Sequence, residues 1–323
     1  MRPASVPRDA IERHLVVPHD RAGWRLDRFL TWKVPRLSRT RAQKILRTQA
    51  FAPDGRKLGP NDIVRAGDVI VIYRPPMPEP PAPREFGVLY EDEDVVVVDK
   101  PAGLPVHPTA RYHENTLTAL LRGRYPDRVT LTHRLDRETS GIVVCARNRQ
   151  AERRLKAQFE SRTVTKRYLA LVRGVVAQDL TTIDLPLELC TEGILRNRMK
   201  VAPPGRGLES RTLIEVASRG RTTTLVSAYP RTGRQHQIRV HLDAIGHPIV
   251  GDKLYGVDEA LFLAFCDSGL DDEMHKTLGM QRHALHAHEV RLAHPRSGEP
   301  LEVRSALPDD IRQHFLDDQG ALQ

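Results

Sequence analysis

Residues 75–83 read PPMPEPPAP, six prolines in nine positions. Proline fixes φ and lacks an N–H, so such a run neither continues a helix nor enters the middle of a sheet. It favours an extended, semi-rigid form. The run therefore divides the 323 residues into a short N-terminal part and a long remainder, as expected for a chain longer than one core usually organises. The expected organisation is a small domain over 13–74, a proline-rich linker over 75–85, a larger domain over 86–310 and a C-terminal tail over 311–323.

Charge divides along the same line. Residues 1–84 carry 17 Lys and Arg against 8 Asp and Glu, whereas the remaining residues carry 33 of each sign. The whole net charge of +9 thus lies in the first quarter, and over 21–57 the ratio is 11 basic to 2 acidic. A surplus of that size on a folded segment points to a polyanion, because phosphate neutralisation releases counterions. Leu26, Phe29 and Leu30 have the spacing of one helix face. Ser38 is a candidate N-cap for a helix over Arg39–Arg47, with Ala42, Ile45 and Leu46 turned inward. Its other face carries Arg39, Arg41, Lys44 and Arg47, the candidate nucleic-acid-binding residues. A turn at Asp54-Gly55 and a strand over Asp68–Tyr73 follow.

The larger domain mixes strands and helices without the regular alternation of a parallel βαβ array, so its class is α+β. Strands are expected at Val95–Val98, Gly141–Ala146, Lys166–Val172 and Thr222–Tyr229. Helices are expected at Arg149–Glu160 and at Gln235–Ile245, the latter closed by Gly246. GxGxxG and the phosphate-loop pattern are both absent, so no nucleotide cofactor is expected. The three cysteines, Cys145, Cys190 and Cys266, form no CxxC pair and fit a reducing cytoplasm. The first 30 residues lack an apolar run, and no stretch of about 18 apolar residues occurs, so neither a signal peptide nor a membrane span is expected. His283, His286, His288 and His294 form a loose group. They lack the tightly spaced cysteine or carboxylate partners of a zinc site, so packing and hydrogen bonding are expected there, not metal.

The segment Thr132–Ala146 reads THRLDRETSGIVVCA. Asp136 lies between Arg134 and Arg137, just before an apolar strand. Nearby guanidinium charge favours an ionised carboxylate, a competent nucleophile or base. Taken alone, Arg-Leu-Asp-Arg is ordinarily only a surface ion pair.

The string has ordered companions: KPAGLPVHP before it, then KRYLA, GRQHQIRVH, GHPIVGDKLYG and ALHAHEVRLAHP. Together they resemble the RluA-type pseudouridine synthases over about 86–310. The strings RLDRFL, LSRTRAQKIL, DGRKL and AGDVIVIY resemble the alpha-L RNA-binding module, with a departure at QAFAPDG that implies a shorter or irregular ribbon. The resemblance implies a pseudouridine synthase fold, a mixed, largely antiparallel sheet flanked by helices, with a small α/β RNA-binding domain. It implies isomerisation of uridine in RNA: the glycosidic N–C bond is broken, the base turned, and a bond made to C5. That chemistry uses no cofactor and no metal, and it requires a base flipped out of its stack.

Residue roles follow from the same resemblance. Asp136 is the catalytic carboxylate, as nucleophile or as base, and Tyr168 stacks on the uracil. Arg234 and Arg239 are alternatives for the arginine that pairs with Asp136 or fills the gap left by the base. Ile238 belongs to the core and lines the uracil pocket. Arg134, Arg137, His133 and His236 orient the loop or touch phosphate. The expected target is a stem-loop of large-subunit ribosomal RNA, modified by a monomer. Transfer RNA is the alternative substrate, and a non-catalytic RNA-binding protein the alternative class.

Overall fold

The computed structural model describes residues 2–34, 37–75, 79–109, 112–191 and 198–320. These form two compact units, Met1–Pro78 and Glu79–Gln323.

The N-terminal unit contains β1 (Ile11–Val16), α1 (Leu26–Lys33), α2 (Arg39–Gln49), β2 (Ala50–Phe51) and β3 (Val69–Arg74). Its sheet is antiparallel with β3 in the centre. Alternation along β3 sends Ile70 and Ile72 towards a core with Leu26, Phe29, Leu30, Ala42 and Leu46, while Val71 and Tyr73 pack on the other face with Phe51. Ser38 caps α2 by accepting the Arg41 N–H (3.2 Å). The unit begins before residue 13. Strand β1, unmarked in the sequence reading, pairs with β3 along its whole length, and as a half-exposed edge it lacks an apolar signature. The ribbon at QAFAPDG is indeed short, two residues of β2 and a turn at Gly55 (φ 91°).

Asp27, in the first turn of α1, has a wholly buried carboxylate. It accepts from Arg25 Nε (3.2 Å) and Nη2 (2.9 Å), Arg39 Nε (3.3 Å) and Gln43 Nε2 (2.8 Å). One side chain thereby ties α1 to α2. Arg25, its first bonding partner, outweighs the cost of burial and holds the acid well below the usual carboxylate range.

The larger unit runs through β4 (Gly87–Glu91), β5 (Val95–Lys100), α3 (Leu117–Arg124), β6 (Thr130–Leu131), β7 (Ser140–Ala146), α4 (Arg149–Glu160), β8 (Thr165–Arg173) and β9 (Leu180–Asp184). Then come β10 (Leu187–Leu189), β11 (Met199–Val201), β12 (Arg211–Arg219), β13 (Thr223–Pro230), α5 (Gln237–Ala244), α6 (Glu259–Ser268), α7 (Asp272–Leu278), β14 (Leu285–Ala293), β15 (Pro300–Arg304) and α8 (Asp309–Gly320). The main sheet has the order β4-β5-β7-β14-β8-β13-β12-β9, with β6 beside β7 and β15 beside β14. Its pairs are antiparallel except one. Strands β7 and β14 run parallel and pair only at Ser140–His286 and Gly141–Ala287.

This short seam joins two half-sheets with separate cores. Val95–Val98 of β5 are fully buried and anchor one, a covered strand reading as an unbroken apolar run. Strands β8 and β13 with α5 and α8 build the other. Tyr168, on β8, packs against both. Gly141 has a φ of +106°, and a Cβ there would collide with the Ala287 carbonyl. Only glycine lets the two strands approach at the seam.

Two expected boundaries are corrected. The C-terminal tail is a helix: Ile311 and Phe315, one turn apart on α8, are buried in the second core. Three apolar residues among polar ones, with Leu316 exposed, gave too weak a period to show this. The linker is also shorter than 75–85. The Glu79 carboxylate accepts the backbone N–H groups of His113, Glu114 and Asn115 at 2.6–2.8 Å, so this part of the proline run is docked on the larger unit. Residues 76–78 lie outside the described residues. No helix among the described residues is long and apolar enough to cross a membrane.

Candidate active site

The loop leading into β7 is fixed from below. Lys100 is fully buried, and its ammonium donates to the carbonyls of Pro101 (2.9 Å), Leu104 (2.9 Å) and Arg137 (3.0 Å). Burial lowers its pKa to about 7, against the opposing charge of Asp136. The Gly103 N–H also donates to the Arg137 carbonyl (2.8 Å), and the Thr139 N–H to that of Asp136 (3.2 Å). The backbone around Asp136 is thus held by donors that leave its carboxylate free.

That carboxylate meets Arg239 of α5, whose Nη1 donates to Asp136 Oδ2 at 2.9 Å. Arg239 is in turn gripped bidentately by Asp252, Nε to Oδ2 at 2.7 Å and Nη2 to Oδ1 at 2.8 Å. Asp252 is itself buried and accepts the N–H groups of Leu254 (2.9 Å) and Tyr255 (3.2 Å). A guanidinium fork locked on one side presents its remaining nitrogen in a fixed direction. The other oxygen, Asp136 Oδ1, has His236 Nε2 at 3.8 Å, too far for a hydrogen bond. Burial of Asp136 favours the neutral acid, but the charges of His236 and Arg239 and the Arg239 hydrogen bond outweigh it, so its pKa lies below the ordinary value. Burial depresses His236 to about 4. At neutral pH His236 is uncharged, and Arg239 supplies the stabilising charge.

Two cavities meet at this carboxylate. The smaller, about 110 Å³, is lined by Tyr168, Ile238, Leu285, Lys166 and Arg234 as well as Asp136. The larger, about 370 Å³, is lined by Asp136, His236 and Arg239 together with His107, Phe262 and Phe265. Burial, then the charge of Asp136, raises the Tyr168 phenol far above its usual pKa, so it stays protonated. His236 sits at the start of α5 with left-handed φ (53°), and its Nδ1 lies 2.9 Å from the Tyr255 hydroxyl. That contact holds an unusual backbone conformation beside the site.

The open choice between two arginines resolves to Arg239, for Arg234 donates instead to the Glu209 carbonyl (3.2 Å). Ile238 is at once buried in the second core and on the cavity wall. The flanking arginines do not have the electrostatic part that adjacency suggested. Arg137 turns to the Tyr112 hydroxyl (3.1 Å) and Glu138 (3.1 Å). Arg134 is exposed on the rim shared by both cavities and acts on Asp136 only as a minor charge. His133 is no phosphate-binding cation. Its Nε2 accepts the Val144 N–H (3.0 Å), its ring lies 4.8 Å from that of Phe159, and burial lowers its pKa to about 3. It orients the loop through the strand.

Asp252, which grips Arg239, Lys100, which holds the loop backbone, and Lys166, which lines the small cavity, were not singled out by sequence reasoning. Asp252 stands in GDKLYG, a string recognised without a role for its acid. Two histidines of the C-terminal group serve the seam, His283 at 2.7 Å from Thr139 Oγ1 and His286 at 3.0 Å from Ser140 Oγ, while His288 lies 2.6 Å from the Ser305 carbonyl after β15. Among the described residues only Asp92, Asp94 and His294 gather as metal ligands might, and His294 is bonded to Asp92 (2.8 Å) and Asp94 to Asn148 (2.7 Å). In the N-terminal unit Arg41, Lys44 and Arg47 are exposed along α2, while Arg39 is shared with Asp27.

The sequence family described as RNA pseudouridylate synthase matches residues 94–244, a span that contains Asp136, Tyr168 and Arg239. The ribosomal large subunit pseudouridine synthase D of Xanthomonas campestris is 37% identical over 96% of this chain and 93% of its own. The ribosomal large subunit pseudouridine synthase C of Pasteurella multocida is 36% identical, over 93% of this chain and 91% of its own. The solved structure of human RNA Pseudouridylate Synthase Domain Containing 1 superposes with a TM-score of 0.57 at 30% identity, covering 71% of this chain and 86% of that one. A carboxylate held by an arginine at the junction of two half-sheets, in a chain with relatives of this kind, places the protein in a family: it belongs to the RluA-type RNA pseudouridine synthases, isomerases of uridine in RNA.

Proposed function

We propose that the chain converts a uridine in a stem-loop of large-subunit ribosomal RNA to pseudouridine, acting as a cytoplasmic monomer through Asp136. The observation that carries this reading is the half-occupied carboxylate. Arg239 binds one oxygen of Asp136 and keeps the group ionised, while the other oxygen has no hydrogen bond among the described residues and the side chain lines both cavities. Such a group attacks the ribose or removes a proton from it, and either route releases the base for rotation. A recessed carboxylate is out of reach of a stacked base, so the uridine is flipped into the small cavity. There Tyr168 stacks on the ring, Ile238 and Leu285 supply apolar contact, and protonated Tyr168 is available to the proton movement at C5. The names of the curated relatives support ribosomal RNA as substrate. The exposed α2 cations, Arg41, Lys44 and Arg47, are suited to its phosphates.

The test is a map of pseudouridines in ribosomal and transfer RNA from cells with the gene, without it, and with Asp136→Asn. We expect large-subunit positions to vanish in the last two. Loss confined to transfer RNA overturns the substrate, and unchanged modification by Asp136→Asn overturns the role of that residue.

A further inference from the structure

Helix α6 reads EALFLAFCDS. Every residue from Leu261 to Phe265 is apolar, and every one stays partly exposed. A helix apolar on all sides is normally buried. Phe262 and Phe265, three positions apart and so neighbours on one face, form a wall of the larger cavity. Their ring centroids are 6.4 Å apart at 48°, so neither ring covers the other's face. Lys253 Nζ lies 5.1 Å from the Phe265 centroid, and the same ammonium bonds Glu138 at 2.9 Å beside Asp136. The aromatic wall is therefore fixed to the catalytic loop. The same cavity is lined by the guanidinium groups of Arg239 and the exposed Arg134. A cavity that combines stacking rings with cations matches a nucleotide, which has a flat apolar base and an anionic phosphate.

The two cavities share Asp136 as their common boundary. Resting on the functional reading above, we propose that the larger cavity seats the nucleotide adjoining the target uridine in the RNA chain, its base stacked on Phe262 and Phe265. One compartment holds the base that reacts; the other holds its unpaired neighbour. Covalent continuity of the RNA explains why the two meet at the reacting carboxylate. Phe262 and Phe265 are then determinants of substrate choice, since they reward loops that present two unstacked nucleotides. Stacking tolerates any base, so the preference is for loop shape over sequence.

The probe is a stem-loop transcript containing the uridine mapped in vivo, with the full-length protein as enzyme. Phe262→Leu with Phe265→Leu keeps apolar bulk and removes the rings. We expect KM to rise on the order of tenfold, kcat to stay within about twofold, and the melting temperature to hold. An abasic residue placed 5′ or 3′ of the target should raise the wild-type KM by the same factor and add nothing in the double variant. If KM stays put in the double Leu variant, or if abasic substitution on each side costs the variant as much as the wild type, the proposal fails. Should the double Leu variant prove less stable, Phe265→Trp decides: quenching of its fluorescence by intact RNA but not by the abasic RNA supports stacking, and equal quenching overturns it. Failure of the underlying reading looks different, because then the wild-type protein leaves the intact transcript unmodified.

Discussion

The tetrapeptide Arg-Leu-Asp-Arg occurs twice, at 25–28 and at 134–137, and its two copies have opposite fates. In the first, a helix turns Asp27 inward, where Arg25 from the tetrapeptide itself, with Arg39 and Gln43, saturates both oxygens. In the second, the chain enters a turn, and neither Arg134 nor Arg137 bonds the acid. Its partner arrives 103 positions later, takes one oxygen, and leaves the other facing a cavity. A carboxylate bonded at both oxygens by neighbouring side chains is structural. One held ionised with a free oxygen is available for chemistry. The difference lies in backbone conformation and distant contacts, and the local charge pattern is identical.

Substitution at the two acids should separate these fates most sharply. Asp136→Asn should lower the single-turnover rate on a ribosomal RNA fragment by on the order of 10⁴-fold with little change in thermal unfolding. A variant that keeps wild-type rate would erase the distinction. Next in size, Asp252→Asn should reduce the rate by roughly 10- to 100-fold, because Arg239 loses its orienting grip. Arg239→Gln should also move the acid limb of the pH–rate profile upward. With that cation gone, burial is opposed only by the charges of His236 and Arg134, so a higher pH is needed to ionise Asp136; an unmoved limb would show that another group supplies the charge.

Asp27→Asn should instead leave the rate per folded molecule intact and destabilise the N-terminal unit by about 2 kcal/mol, discounted because Arg25 is partly and Arg39 largely exposed. Urea unfolding followed through Trp24 and Trp32 reads this directly. The depressed Asp27 pKa gives the sign of its pH dependence. Its contribution is complete above the ordinary carboxylate value, about 3.9, and fades as pH falls through the lower folded value. The Asn variant should show a shallower acid limb of stability, and a parallel limb would assign the effect to other acids. Smallest of all, Lys44→Ala on α2 should weaken RNA binding and reduce the salt slope by about one, leaving both acids untouched.

The sequence made one face of each N-terminal helix legible, because Leu26, Phe29, Leu30, Ala42 and Leu46 repeat at helical spacing and Ser38 is a good cap. It marked Asp136 and Tyr168 through strings that resemble a known family. It hid whatever depends on distance along the chain. Arg234 and Arg239 look alike in GRQHQIRVH, and only the fold, by placing Asp252 behind one of them, tells them apart. Strand β1 escaped because an edge strand facing solvent needs no alternation. Phe262 and Phe265 gave no signal in the sequence, since exposure leaves no trace in residue type.

Strand β14 lies between β7 and β8 although it follows both by more than a hundred residues. On the ribosome, a chain grown past Arg239 already contains Asp136, Tyr168 and their arginine. It still lacks the strand that brings β7 and β8 together, so these groups have no common frame. Competence arrives late in synthesis, when Leu285–Ala293 has emerged and slots between its neighbours. A prematurely terminated chain that ends before β14 therefore lacks the frame that would hold Asp136 and Tyr168 together, whatever else of it has folded.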